Sequence, residues 1–91
     1  MSTFVEEEKK AELRDDTIYS HKVILFNDNH NNFDHVERCL IEICYKSEKE
    51  AKKIAMEAHT KGRSICYDGS LEVCETVSER MSAQDLTVSV E

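Results

Sequence analysis

The chain has 91 residues, enough for one small domain that buries on folding roughly 60 to 65 per cent of the surface its unfolded form exposes. Its longest apolar run is Val23 to Phe26, far short of the roughly 18 residues of a membrane span, and no stretch resembles a signal peptide, so a soluble cytoplasmic protein with no membrane partner is expected. Twelve Lys plus Arg against 19 Asp plus Glu give a formal charge of -7, which disfavours nucleic acid as a partner and favours cationic groups.

Residues 1–17, MSTFVEEEKKAELRDDT, carry much charge and few apolar side chains, and are expected to form a flexible charged arm ahead of a folded domain at 18–91. SHKVILFND then places β-branched and aromatic residues before Asn27 and Asp28, the pattern of a strand running into a turn. Its nearly continuous apolar centre implies burial on both faces or a central position in a sheet.

From Asn32 the period changes. Phe33, Val36, Leu40 and Ile43 or Cys44 recur at helical spacing, with Asn31 or Asn32 as N-cap and Asp34 and Glu37 near the favourable end of the dipole. After a break at Tyr45–Lys46, Ser47 and Glu50 of SEKE form the S-x-x-E capping box of a second helix. Its inner stripe is Ala51, Ile54, Ala55, Ala58 and His59, and Gly62 supplies the left-handed residue that ends it. RSICY reads as a second strand, DGS as a turn, and Ser70 as the cap of a third helix with Leu71, Cys74, Val77 and Met81 inward. LTVSV alternates as a closing strand. The order β-α-α-β-α-β predicts a small α+β domain in which a three-stranded sheet carries helices on one face.

Cys39, Cys44, Cys66 and Cys74 contain no C-x-x-C pair, so they read as reduced core thiols rather than a zinc site, and no metal or cofactor is expected. A calcium loop in NDNHNN fails because its sixth position is Asn32 rather than glycine and its twelfth is Arg38 rather than glutamate. No nucleophile elbow, phosphate loop or H-E-x-x-H occurs, so the chain does not read as an enzyme.

The polar cluster FNDNHNNF lies between a strand end and a helix start, where a rigid scaffold can present side chains. Read locally it is a turn and a helix cap. Asp28 also offers a charge, Asn27 a carbonyl acceptor and neutral His59 a nitrogen acceptor, a set suited to an ammonium group attached to an apolar side chain. The free N-terminus of a protein that starts with a large hydrophobic residue is such a group.

KVILFNDNHNNFDHVERCL, AMEAHTKGRSIC and EVCET together resemble the ClpS family, adaptors that deliver N-degron substrates to the Clp AAA+ protease, over about Tyr19 to Glu91. The resemblance implies an α/β (α+β) fold like the C-terminal domain of the ribosomal stalk protein, with a three-stranded antiparallel sheet and three helices. It implies that Asn27, Asp28 and His59 bind the substrate α-amine, and that Asn31, Phe33, Val36, Ala55, Ala58 and Leu86 form the pocket for the first side chain. Glu72 corresponds to a contact with the unfoldase, of ClpA or ClpC type. N-terminal Leu, Phe, Tyr and Trp are the implied ligands, and residues 1–17 would be the arm that the unfoldase engages. The commoner NDDYTPMEFV is NDNHNNFDHV here, so Asn29, Asn31, Asn32 and Phe33 depart from the family pattern at the site itself. The rival reading is a stalk-like docking domain that binds a protein partner without recognising an amine.

Overall fold

The structure is a computed structural model and describes residues 21–91. The expected arm at 1–17 and the expected domain start at Ile18 lie outside the described residues. The described elements are β1 (His21–Phe26), α1 (Phe33–Glu42), α2 (Glu48–Lys61), β2 (Arg63–Gly69), α3 (Leu71–Ala83) and β3 (Val88–Val90). This is the expected β-α-α-β-α-β order, in a three-stranded sheet of order β2-β1-β3 with both pairings antiparallel.

The central place of β1 accounts for its apolar run. Val23 and Leu25 are 0% and 2% exposed and belong to one core with residues of all three helices, Leu40, Ala55, Val77 and Met81 among them. Ile24 alternates to the other side of the strand and is also buried, at 2% exposure. The register between β1 and β2 shifts between Val23 and Ile24, where Val23 pairs with Tyr67 and Ile24 with Ile65. The unpaired residue is Cys66, whose side chain lies in the core at 0% exposure, on the same side as Ser64 by strand alternation.

Local chemistry sets the helix limits. Asn32 is the N-cap of α1, its side-chain oxygen accepting from the His35 N–H at 2.8 Å. At the other end the C-cap is Ile43, Lys46 N donates back to Leu40 O at 3.1 Å and Tyr45 takes φ 60°, a turn that separates α1 from α2. The Ser47–Glu50 capping box is formed in both directions, at 3.1 Å and 3.3 Å. Gly62 ends α2 with φ 92°, its N–H bonded to Ala58 O.

Four sequence expectations are corrected. DGS is not wholly a turn: β2 runs on to Gly69, because Asp68 and Gly69 pair with Lys22 and His21 of β1. Leu71 is 45% exposed rather than inward, since it heads α3 and the inward stripe begins at Cys74. The last strand is only Val88–Val90, because the Leu86 N–H bonds back to Met81 O of α3 instead of a strand. His59 is exposed, not inward; it sits in the last turn of α2, next to the buried Ala58.

All four cysteines are free and buried. Burial is the main influence that pushes the Cys39 and Cys74 thiols above their ordinary range, so they stay protonated as small apolar groups. Among the described residues no cluster of three or more His, Cys, Asp or Glu could hold a metal ion, and no helix is long and apolar enough to cross a membrane.

Candidate functional site

A cavity of about 220 Å³ opens where the carboxyl end of β1 meets the start of α1 and the last turns of α2. Its polar wall is Asn27, Asp28, Asn29 and Asn31 of the loop, with His59 from α2. Its apolar wall is Phe33 and Val36 of α1, Ala55 and Ala58 of α2, and Leu25 and Phe26 of β1. Ala55 and Ala58 are buried and small, so the space between α1 and α2 is left open rather than filled.

The loop is fastened at its start, where Asn27 N donates to Gly62 O at 3.0 Å and Phe26 N to Thr87 O at 2.9 Å. The strand end is thereby held between the C-cap of α2 and the approach to β3. Phe33 packs against His59 in a T-shaped arrangement, centroids 5.3 Å apart and planes at 70°. Phe33 is nevertheless 40% exposed, which puts it at the rim of the cavity and not in the core.

Asp28 is the electrostatic centre. Its Oδ1 accepts from the backbone N–H of Asn31 at 3.0 Å and of His30 at 3.3 Å, and its Oδ2 from the Asn31 side-chain amide at 3.0 Å. Burial pushes the carboxyl pKa up, but the Asn31 side chain, the two backbone N–H groups and the charge of nearby His30 outweigh burial. The net effect leaves the pKa below the ordinary aspartate value. Asp28 is therefore an ionised acceptor over the physiological range, with its side chain only 12% exposed.

Of the residues the sequence picked out, Asn27, Asp28, His59, Asn31, Phe33, Val36, Ala55 and Ala58 come together around this one cavity. Leu86 does not line it and is corrected here. Asp85 takes φ 68°, and the bond from Leu86 N to Met81 O turns the Leu86 side chain into the core at 4% exposure. Glu72 is exposed in the first turn of α3, a different element from those that build the cavity. Leu25, Phe26 and Asn29 are wall residues that sequence reasoning did not assign. Their adjacency to Asn27 and Asp28 was the available signal, although strand alternation would have selected only one of Leu25 and Phe26.

An α+β sheet-and-helix domain with a small, half-polar cavity at the end of its central strand defines a small binding domain. The profile of the family described as "ATP-dependent Clp protease adaptor protein ClpS" matches residues 17–89. An "ATP-dependent Clp protease adapter protein ClpS" of Gloeobacter violaceus is 33% identical, covering 100% of this chain and 97% of that protein. One of Acetivibrio thermocellus is 32% identical over 90% of this chain and 84% of its own length. Among solved structures, Agrobacterium tumefaciens ClpS2 bound to L-phenylalaninamide superposes with a TM-score of 0.73. It covers 78% of this chain and 93% of that one at 23% identity, which supports the shared fold. The chain belongs to the ClpS family, and its role is that of an adaptor of the Clp protease.

Proposed function

We propose that this adaptor recognises N-degrons: it binds the free α-ammonium and large hydrophobic first side chain of a substrate and hands the substrate to a ClpA- or ClpC-type unfoldase. The observation that carries the reading is the ionised Asp28 carboxylate, half-buried in the polar wall of a half-polar, half-apolar cavity of about 220 Å³ that Asn27 and His59 also line.

In this reading Asp28 provides the charge that pairs with the ammonium, Asn27 its side-chain carbonyl, and His59 an unprotonated ring nitrogen. The first side chain enters between Phe33 and Val36 on one side and Ala55 and Ala58 on the other. Asn31 stands at the polar margin, and Leu86 supports the fold from behind. A large side chain unbranched at Cβ, such as Leu, Phe, Tyr or Trp, suits the slot, and branching at Cβ is disfavoured next to a fixed ammonium. The relative from Agrobacterium tumefaciens was solved with L-phenylalaninamide, which joins a free α-amine to a benzyl side chain, the ligand chemistry that this cavity is proposed to accept. Glu72, on the separate α3, is assigned to the unfoldase contact.

Binding of a Phe-initiated peptide and its N-acetylated twin, each titrated by fluorescence anisotropy, tests the reading. Acetylation removes the charge and two donors, so binding of the twin should fall by at least about tenfold, the worth of a hydrogen bond to a charged group. Retained partner binding by Asp28→Ala together with equal peptide affinities would instead favour a docking domain.

A further inference from the structure

The Asp28 carboxylate is oriented from a distant part of the chain. The Asn31 side-chain amide has two hydrogens to donate. One goes to Asp28 Oδ2 at 3.0 Å and the other to the backbone carbonyl of Asp85 at 2.8 Å, 54 residues away between α3 and β3. The ring of His30 reaches the same turn, Nε2 lying 3.3 Å from Asp85 O and 3.1 Å from Asp85 Oδ2. The carbonyl is itself aimed by an unusual backbone: Asp85 has φ 68° and is tied to α3 by its N–H to Ser82 O at 2.9 Å.

We infer that Asn31 is a positioning residue, and that with the Asp85 carbonyl it forms a brace which fixes the direction of the Asp28 carboxylate toward the incoming ammonium. The α3–β3 turn is thereby a working part of the site although it does not line the cavity. Counting acceptor positions gives the same answer. Of the roughly four lone-pair positions of a carboxylate, two on Oδ1 are taken by the backbone N–H groups of His30 and Asn31 and one on Oδ2 by the Asn31 amide. One direction on Oδ2 stays available, and its orientation is set by an amide that cannot rotate without breaking its bond to Asp85. Asn31 therefore acts on the ammonium through Asp28, and is more than a wall of the pocket.

The consequence for ligand binding rests on the amine-recognition reading above; the brace itself does not. The test separates the two. In the unliganded full chain, the Asp28 carboxyl is titrated by carbon-detected NMR in wild type, Asn31→Ala and Asn31→Asp. Loss of the amide donor should move the Asp28 midpoint upward, more so in Asn31→Asp, where a second carboxylate faces it. Affinity for a Phe-initiated peptide should fall about tenfold in Asn31→Ala, with the N-acetylated peptide unaffected. Two variants at the turn distinguish its carbonyl from its side chain. Asp85→Gly keeps the left-handed backbone and the carbonyl that the Asn31 amide uses, while freeing the His30 ring from Asp85 Oδ2, so its Asp28 midpoint and peptide affinity should move less than those of Asn31→Ala. Asp85→Val, whose β-branched side chain resists positive φ, should reproduce Asn31→Ala. An unmoved Asp28 midpoint in both Asn31 variants would overturn the brace. A moved midpoint in a protein that ignores the free amine would uphold the brace and overturn the functional reading instead.

Discussion

At the scale of single residues, the site depends on one carboxylate held ionised by hydrogen bonds in a half-buried place. Asp28→Asn keeps the shape but removes the charge, and should weaken binding of a Phe-initiated peptide by about 1.5–3 kcal/mol, or roughly 10- to 100-fold, in a calorimetric titration. The same carboxylate makes a pH prediction for the fold. Its native pKa lies below the ordinary aspartate value, so its contribution to stability is fully present above the unfolded value of about 3.9 and is lost as pH falls through the lower native value. Asp28→Asn should therefore unfold with a shallower stability loss below about pH 4 than wild type in acid titrations followed by circular dichroism.

At the scale of elements, the site is a by-product of how α1 and α2 are started and stopped. Asn32 fixes the first turn of α1, which brings Phe33 to the cavity rim, and Gly62 ends α2 just after His59 while its carbonyl receives the Asn27 N–H. Added bulk at Gly62 would meet no atom within 4 Å, so the penalty of Gly62→Ala is the left-handed backbone alone. About 1 kcal/mol is expected, a drop in Tm of roughly 4–8 °C for a domain of this size. Ala55 and Ala58 give the cavity its width. Ala55→Met should narrow it and shift preference from Trp toward Leu by about fivefold to tenfold in a panel of peptides differing only at the first residue, without restoring binding of acetylated peptides.

These elements also show what the chain discloses unaided. The capping box at Ser47, the glycine stop at Gly62 and the N-cap at Asn32 are short-range signals, and each helix start or stop that they mark is where local spacing puts it. Asn27, Asp28 and Asn31 were legible for the same reason, as a dense polar run after a strand. Exposure at helix ends was not: Leu71 sits in the first turn of α3 and His59 in the last turn of α2, and both stay exposed even though Phe33 of α1 packs on one edge of the His59 ring. Leu86 and Asp85 were illegible because their roles follow from the left-handed turn at Asp85, a long-range packing result that periodicity does not encode.

At the scale of the whole molecule, the charge of -7 and the Asp28 carboxylate in the wall of a half-polar cavity suit the proposed ligand, a cation attached to a hydrophobic group. The cavity is built by β1, α1 and α2, whereas Glu72 is carried on α3. That separation would let a substrate and the Clp protease engage different elements at once, as an adaptor requires. Glu72→Lys should then impair delivery of a reporter substrate to the unfoldase while leaving peptide affinity within about twofold, since Glu72 is exposed and its helix contributes no residue to the cavity wall. The most direct measurement remains the paired titration of a Phe-initiated peptide and its N-acetylated twin. Tight binding of the free amine with at least about tenfold weaker binding of the acetylated peptide is expected, and equal affinity for the two would contradict amine recognition.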